Sequence, residues 1–372
     1  MKKYTLNIVF VLLCAGVVLA SQYKLLDRYI LTVLMLMGIN IIFATSLNLV
    51  NGNMREFSCG HAGFACVGAY VGSVLSVLLF TANKYTGQPL LSPSLAPLLF
   101  PVIMLAAALV SAVFGLLVAL PSFKTRDDYL AIITIAANFI IISIIENSEQ
   151  IAEQIFGAKS FGTFINGSRG FSGMKRTVNA MNDVAHIPWM EIWVILGACF
   201  CVFVLYRLVT STYGKGIDAV AQDEIAAEIM SVDTKRTKLI AFMVSSGLAG
   251  ISGVLYAHIY GYVNASSFGI LRSTEALVMV YLGGMGSLSG CIMAAIAFTV
   301  LVEALRPGLR FLNDNMHYLG MLPDGYEISE VWRWVIIPLI LFLLMQFRPE
   351  GLLGNRELTH VFPKLKNWFT LR

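Results

Sequence analysis

Runs of about twenty apolar residues recur along this chain, and that recurrence leaves few folds open to it. A helix rises 1.5 Å per residue, so a run of that length crosses the roughly 30 Å hydrocarbon layer of a bilayer. Such runs lie near 5–21, 29–50, 57–80, 95–120, 129–146, 191–209, 239–262 and 334–347, with a more complex region at 275–303. Only 13% of the 372 residues are charged, about half the share found in soluble domains. The expected fold is an all-α polytopic membrane protein: one transmembrane domain over 1–372 with roughly 8–10 transmembrane helices.

Basic residues stay preferentially in the cytoplasm. Lys2 and Lys3, Arg55, Lys124 and Arg126, and Arg207, Lys215, Lys235, Arg236 and Lys238 then share the inner side. This makes 147–190 an extracytoplasmic loop and 210–238 a cytoplasmic one. The basic tail (Arg348, Arg356, Lys364, Lys366, Arg372) returns to the cytoplasm only if 275–303 turns back on itself. LGGMGSLSG, residues 282–290, holds four glycines in nine positions. Such a run favours a broken or re-entrant helix, tolerated at membrane depth where protein or water covers the backbone. Two shorter segments folded at this break are expected, with both termini cytoplasmic. Lys2, Lys3 and the apolar run to Leu19 imitate a cleavable signal peptide; with so many further spans, an uncleaved first helix is the simpler reading.

Small residues four apart let helices approach closely in lipid. Gly68 with Gly72, Ser246 with Gly250, Ala249 with Gly253, and Gly286, Gly290 with Ala294 have this spacing. Cys14, Cys59, Cys66, Cys199, Cys201 and Cys291 all fall in apolar runs without metal-ligand spacing, and read as packing residues. The formal charge of +4 is scattered, which gives a nucleic-acid face no support.

One segment breaks the apolar pattern. AVAQDEIAAEIMSVD, residues 219–233, is short, acidic and helix-forming. Drawn as one helix it aligns Ala221, Ile225, Ile229 and Val232 on a stripe, with Asp218, Asp223, Glu224 and Glu228 largely off it. That pattern fits either a solvated linker helix or a helix presented to a partner.

STYGKGIDAVAQDEIAAEIMSVDTKRTKLIAFMVSSGLAGISGVLYAHIYGYV (211–263) resembles the cytoplasmic loop and following helix of LivM-type permeases, the membrane subunits of ATP-binding-cassette importers for branched-chain amino acids. NGNMREFSCGHAGFACVGAY (51–70), DDYLAIITIAANF (127–139), LVMVYLGGMGSLSG (277–290) and FRPEGLLG (347–354) resemble further blocks of that family, in its order. The resemblance implies a coupling helix that docks on an ATP-hydrolysing subunit, formed by Asp223, Glu224, Ile225, Ala226, Ala227, Glu228, Ile229 and Met230. It also implies a second permease subunit, two ATP-binding subunits that hold ATP and Mg, an extracytoplasmic substrate-binding protein, and a bacterial cytoplasmic (inner) membrane location. This chain departs from the pattern at Ala221 and Gln222, where the family usually has Arg-Glu, and at Ser231, where it usually has Gly. No GxxxxGK[ST] occurs, and FGAKS (156–160) lacks the phosphate-cradling spacing, so a motor is expected on another chain, with no cofactor or metal held here.

Polar groups inside spans are costly and mark a pathway or a hydrogen-bonded helix contact. Ser58 and His61 match the family's SxGH pattern and read as a structural hydrogen bond or a gating part. Asn138, mid-span, reads as path lining or interhelical glue. Glu275 reads as the cap of a half-helix N-terminus, and His258 as a satisfied histidine. Gly283, Gly284 and Gly286 are the preferred path element, because a broken helix exposes backbone groups suited to an amino acid's carboxylate and ammonium; close packing is the other reading. Phe57, Phe64 and Tyr70 fall roughly on one helical face, which suits core packing. The leading function is an energy-coupled importer permease for branched-chain or other hydrophobic amino acids. A urea or short-amide permease differs only in substrate. An ion-coupled transporter predicts buried charges mid-span, whereas Glu275 and Glu303 read as near segment ends. No nucleophile–His–acid set points to an enzyme.

Overall fold

The computed structural model describes residues 16–23, 25–82, 87–123, 129–156, 165–184, 186–318, 330–347, 351–352 and 354. The start of the first run, Lys124 and Arg126, residues 157–160 and the tail beyond 354 lie outside the described residues. Helices dominate: α1 (Arg28–Asn48), α2 (His61–Phe80), α3 (Ala96–Ser122), α4 (Tyr129–Glu146), α5 (Ser148–Phe156), α6 (Met174–Asp183), α7 (Trp189–Val209), α8 (Thr212–Gln222), α9 (Glu224–Ile229), α10 (Thr234–Tyr260), α11 (Ile270–Gly283), α12 (Leu288–Tyr318) and α13 (Arg333–Phe347). Among the described residues, seven helices are long and apolar enough to cross a membrane. The protein is an all-α polytopic membrane protein.

α2 and α10 form the centre. Of their apolar windows 72% is buried, against 22–44% for the other five, so those five present more surface to lipid. The centre closes because glycines let backbones touch. A Cβ built on Gly68 lies 2.3 Å from Gly250 O, and one on Gly253 lies 1.9 Å from Ala65 O. Gly250 in turn faces Ser111 of α3, and Gly115 faces Ser246. The small-residue spacings read from the sequence are thus crossing points. Gly68→Val is expected to separate α2 from α10 and abolish the yield of monodisperse protein, a loss above about 3 kcal/mol. Gly308→Ala, whose Cβ meets nothing within 4 Å, serves as the tolerated control in size-exclusion profiles.

Several elements differ from the sequence expectation. α2 begins at His61, not at 57, because residues 55–60 run without helix; Phe57 is therefore exposed while Phe64 and Tyr70 are buried. The break at 284–287 is present, but the segment after it is the longest helix, 31 residues. Glu303 sits well inside α12, where it accepts from Tyr29 Oη at 2.6 Å and faces Arg306. The loop 147–190 carries α5, α6 and strand β1 (Phe171–Ser172), which pairs antiparallel with β2 (Tyr262–Val263) beyond α10. Cys59, Cys66, Cys201 and Cys291 are buried packing residues.

Candidate functional site

Three caps shape the polar segment that links α7 to α10. Ser211 Oγ accepts from Gly214 N–H and starts α8, Asp223 Oδ1 accepts from Ala226 N–H and starts α9, and Asp233 Oδ1 accepts from Arg236 N–H and starts α10. Each satisfies a backbone donor that a helix start otherwise leaves open. The single helix expected over 219–233 is therefore corrected to two: Asp223 is extended (φ −158°, ψ 110°) and breaks it. Asp223 is a cap. The stripe from Ala221 to Val232 does not form, but Ile225, Ile229 and Met230 are 73%, 78% and 78% exposed, while Ala227 is buried. Glu228 and Ala226 are exposed beside them.

α9 ends in a Schellman turn. Ser231 N–H bonds Glu228 O and Val232 N–H bonds Ala227 O, with Ser231 at φ 66°. That left-handed position favours glycine, because a Cβ crowds the following carbonyl there. The departure at Ser231 is thus a strained substitution. Ser231→Gly is expected to raise stability by about 1 kcal/mol, read as a higher unfolding midpoint in detergent.

Glu224 also bonds within the chain. Lys238 Nζ, in the second turn of α10, lies 2.8 Å from Glu224 Oε2 and 2.8 Å from Glu56 Oε1. Glu56 and Lys238 are nearly buried, whereas the Glu224 side chain is 43% exposed. The ammonium thereby ties α9 to the non-helical segment leading into α2.

That segment reaches the sequence-predicted residues. Asn51, in a π-helical turn over Leu49–Asn53, accepts from Ser58 N–H at 3.2 Å and donates to Ser58 O at 3.3 Å. His61 Nε2 lies 2.8 Å from Ser46 Oγ, and Ser245 Oγ donates to Ser46 O. Cys59 N–H bonds Thr134 Oγ1, and Ala62 N–H bonds Ser273 Oγ. Asn138 packs on Gly63: a Cβ there would lie 2.8 Å from Asn138 Oδ1. Ser58 Oγ and Asn138 Oδ1 are buried without a hydrogen-bond partner, which is rare in a settled core. His258 is satisfied on both nitrogens, by Val254 O and Ser76 Oγ.

The glycine break is a packed joint. Gly284 (φ 102°) and Gly286 (φ 81°) adopt backbone that side chains rarely allow. Gly286 N–H bonds Asn48 Oδ1, Asn48 Nδ2 donates to Ser287 O, and Gly284 N–H bonds Val280 O. Gly283 rests on the backbone of Gly290, and Gly284 on that of Gly354. Leu352 N–H bonds Leu282 O, so Leu352 and Gly354 close the joint from the other side. In this conformation Gly284 N–H, Gly286 N–H and Leu282 O at the break are taken by protein partners.

Glu275 is not a half-helix cap. Gly269 caps α11, and Glu275 lies more than a turn inside, hydrogen-bonded to Arg272 Nη1. Arg272 is the residue the sequence reading missed. The spacing Arg272-x-x-Glu275 beside an apolar run was its only signal. With Arg272 and Glu303 inside the bundle, near-absence of internal charge no longer separates an importer from an ion-coupled carrier.

The chain was then compared with known proteins. Residues 29–345 match the family described as "Branched-chain amino acid transport system / permease component". The chain is 29% identical over 371 residues to the high-affinity branched-chain amino acid transport system permease protein LivM of Escherichia coli K12, covering 95% of this chain and 76% of that protein. It is 30% identical over 326 residues to LivM of Salmonella typhimurium, covering 85% and 68%. LivH of E. coli K12, a permease protein of the same named system, is 22% identical over 331 residues, covering 86% and 92%. No solved structure matches the chain. The family match spans nearly every described helix, from α1 into α13, and with it this chain belongs to the permease components of branched-chain amino acid transport systems.

Proposed function

We propose that this chain is the membrane permease subunit of an ATP-binding-cassette importer for branched-chain or other hydrophobic amino acids, seated in a bacterial inner membrane. ATP and Mg bind on two separate hydrolysing subunits; this chain moves and does not catalyse. A second permease of the LivH kind completes the membrane part, and an extracytoplasmic binding protein delivers substrate on the side of 147–190. Residues 210–238 and both termini face the cytoplasm.

One observation carries the coupling role: three large apolar side chains, Ile225, Ile229 and Met230, stand exposed on a short helix anchored through Lys238 to the segment before α2. Exposed apolar clusters of this kind mark partner surfaces. The ridge enters a groove of the hydrolysing subunit, and Glu228 lies on its rim. Displacement of α9 then reaches Glu56, and through Ser58 and the π-helical turn it reaches the glycine joint at Gly283, Gly284 and Gly286. Ser58, His61 and Asn138 line the seam that this movement opens.

Reconstitution with the four partner chains tests the reading. Binding protein loaded with leucine is expected to stimulate ATP hydrolysis and drive leucine uptake. Stimulation by urea alone replaces the substrate class, and uptake driven by an ion gradient without ATP overturns the proposal.

A further inference from the structure

One charged group in the core is used neither by the docking segment nor by the glycine joint. Arg272, in the first turn of α11, donates through Nη2 to Asn40 Oδ1 at 3.0 Å. Asn40 is at the midpoint of the 26-residue span Arg28–Asn53, and Tyr256 lies four residues from the end of the span Thr234–Tyr260, so the guanidinium lies within the depth of the spans, between the middle and one end. Its Nη1 bonds Glu275 Oε2. Its carbon stands 5.5 Å from the Phe43 ring and 5.3 Å from the Tyr256 ring. Asn40 also donates to Thr299 Oγ1 at 2.9 Å. Arg272 and Glu275 side chains retain only 17% and 15% exposure.

Stability gives no reason for this pair. A guanidinium within the depth of the spans is costly for a membrane protein to hold, and apolar residues of similar volume often replace a buried ion pair at no loss. Position gives a reason. Arg272 forms one wall of a small, partly open pocket of about 10 Å³, whose other walls include Ile39, Phe43, Ser252, Tyr256 and Phe268. One end is cationic, and the rest is mostly aromatic and aliphatic. The 14-residue α11 also begins here, and no side chain caps its N-terminus, so its dipole adds positive potential at the same spot.

We propose that Arg272 and Glu275 form the zwitterion site of the translocation path, pairing with each other while the path is closed and with the passing amino acid when it opens. This rests on the transport function proposed above. The Arg272 fork matches a carboxylate through two parallel N–H bonds, and exchanging Glu275 for the substrate carboxylate frees Glu275 to face the substrate ammonium. Ile39, Phe43, Tyr256 and Phe268 receive the hydrophobic side chain. One ion pair is traded for two of like kind, so the site orients substrate without holding it fast, as a conducting site must. The pair complements an amino acid; an uncharged amide offers it neither charge.

The test uses the full complex in proteoliposomes, with assembly followed by co-purification and transport by leucine uptake. Arg272→Gln is expected to assemble and to lower uptake at least tenfold. The swapped pair R272E/E275R keeps an ion pair in place, and is expected to assemble while uptake stays at least tenfold low, because carboxylate and ammonium now meet the wrong ends. Near-normal uptake by Arg272→Gln, or restored uptake in the swapped pair, overturns the assignment by making the pair structural. If neither assembles, Arg272→Lys decides: the cation stays but the fork is gone, so uptake at subsaturating leucine is expected to drop several-fold, and unchanged uptake overturns the site. Wild-type vesicles that take up no leucine defeat the transport reading instead, and leave a different signature from wild-type uptake that Arg272 variants do not alter.

Discussion

A chain carrying Asp at both Ile225 and Ile229 is expected to insert and fold as the natural chain does, and to lose the hydrolysing subunit together with all measurable uptake. Both side chains are more than 70% exposed, so their loss removes little from this chain's own packing. Burying two such side chains in a partner groove contributes about 3–6 kcal/mol. Removing that alone weakens docking by roughly 10²- to 10⁴-fold, and two carboxylates placed in an apolar groove add to the loss. Co-purification of the hydrolysing subunit and ATP-driven uptake measure it. Undiminished retention removes α9 from the coupling role. A change at Glu224 is a poorer probe, because Glu224 also bonds Lys238 within the chain.

The second large effect concerns Lys238. Lys238→Met is expected to destabilise the folded chain by up to about 3–5 kcal/mol, since it takes one cation away from a nearly buried Glu56 carboxylate. The double variant K238M/E56Q is expected to recover most of that loss, because the carboxylate charge that Lys238 balances is then absent too. Thermal unfolding of the single and double variants in detergent gives the coupling between the two positions. Additive losses would sink the idea that Lys238 holds the segment before α2 through charge. The same variants separate holding from docking: Glu224→Gln removes only the more exposed arm, and is expected to cost under about 1 kcal/mol.

What was legible in the sequence was what depends on long runs and on spacing. The apolar runs near 29–50, 95–120 and 191–209 became α1, α3 and α7 because length alone decides a span. Gly68, Gly250 and Gly253 were readable as close approaches because lipid gives helices few other ways to bind. Single-residue geometry was less legible. Asp223 sits in a stretch of Ala, Ile and Glu that favours helix throughout, and its capping role depends on a backbone φ that composition does not reveal. The strain at Ser231 showed only as a departure from a family pattern until the left-handed turn gave it a cause. Arg272 went unread because 262–274 holds Asn264, Ser266 and Ser267 and looks like a loop, although the chain there turns back into the bundle toward Ala62.

The crossing of α2 with α10 also has a consequence for biogenesis. Ser76 and His258, which meet across it, are 182 residues apart in the chain. At ribosomal rates of about 5–20 residues per second, α2 waits on the order of 10–40 s in the membrane before its permanent neighbour is synthesised. The hydroxyl that will meet His258 does not wait unsatisfied. Ser76 Oγ bonds Ser73 O within α2, as Thr45 and Ser46 bond carbonyls within α1 and Ser246 and Ser252 within α10. These hydroxyls thus carry their own interim partners, so polar residues that later knit the bundle can enter lipid one helix at a time.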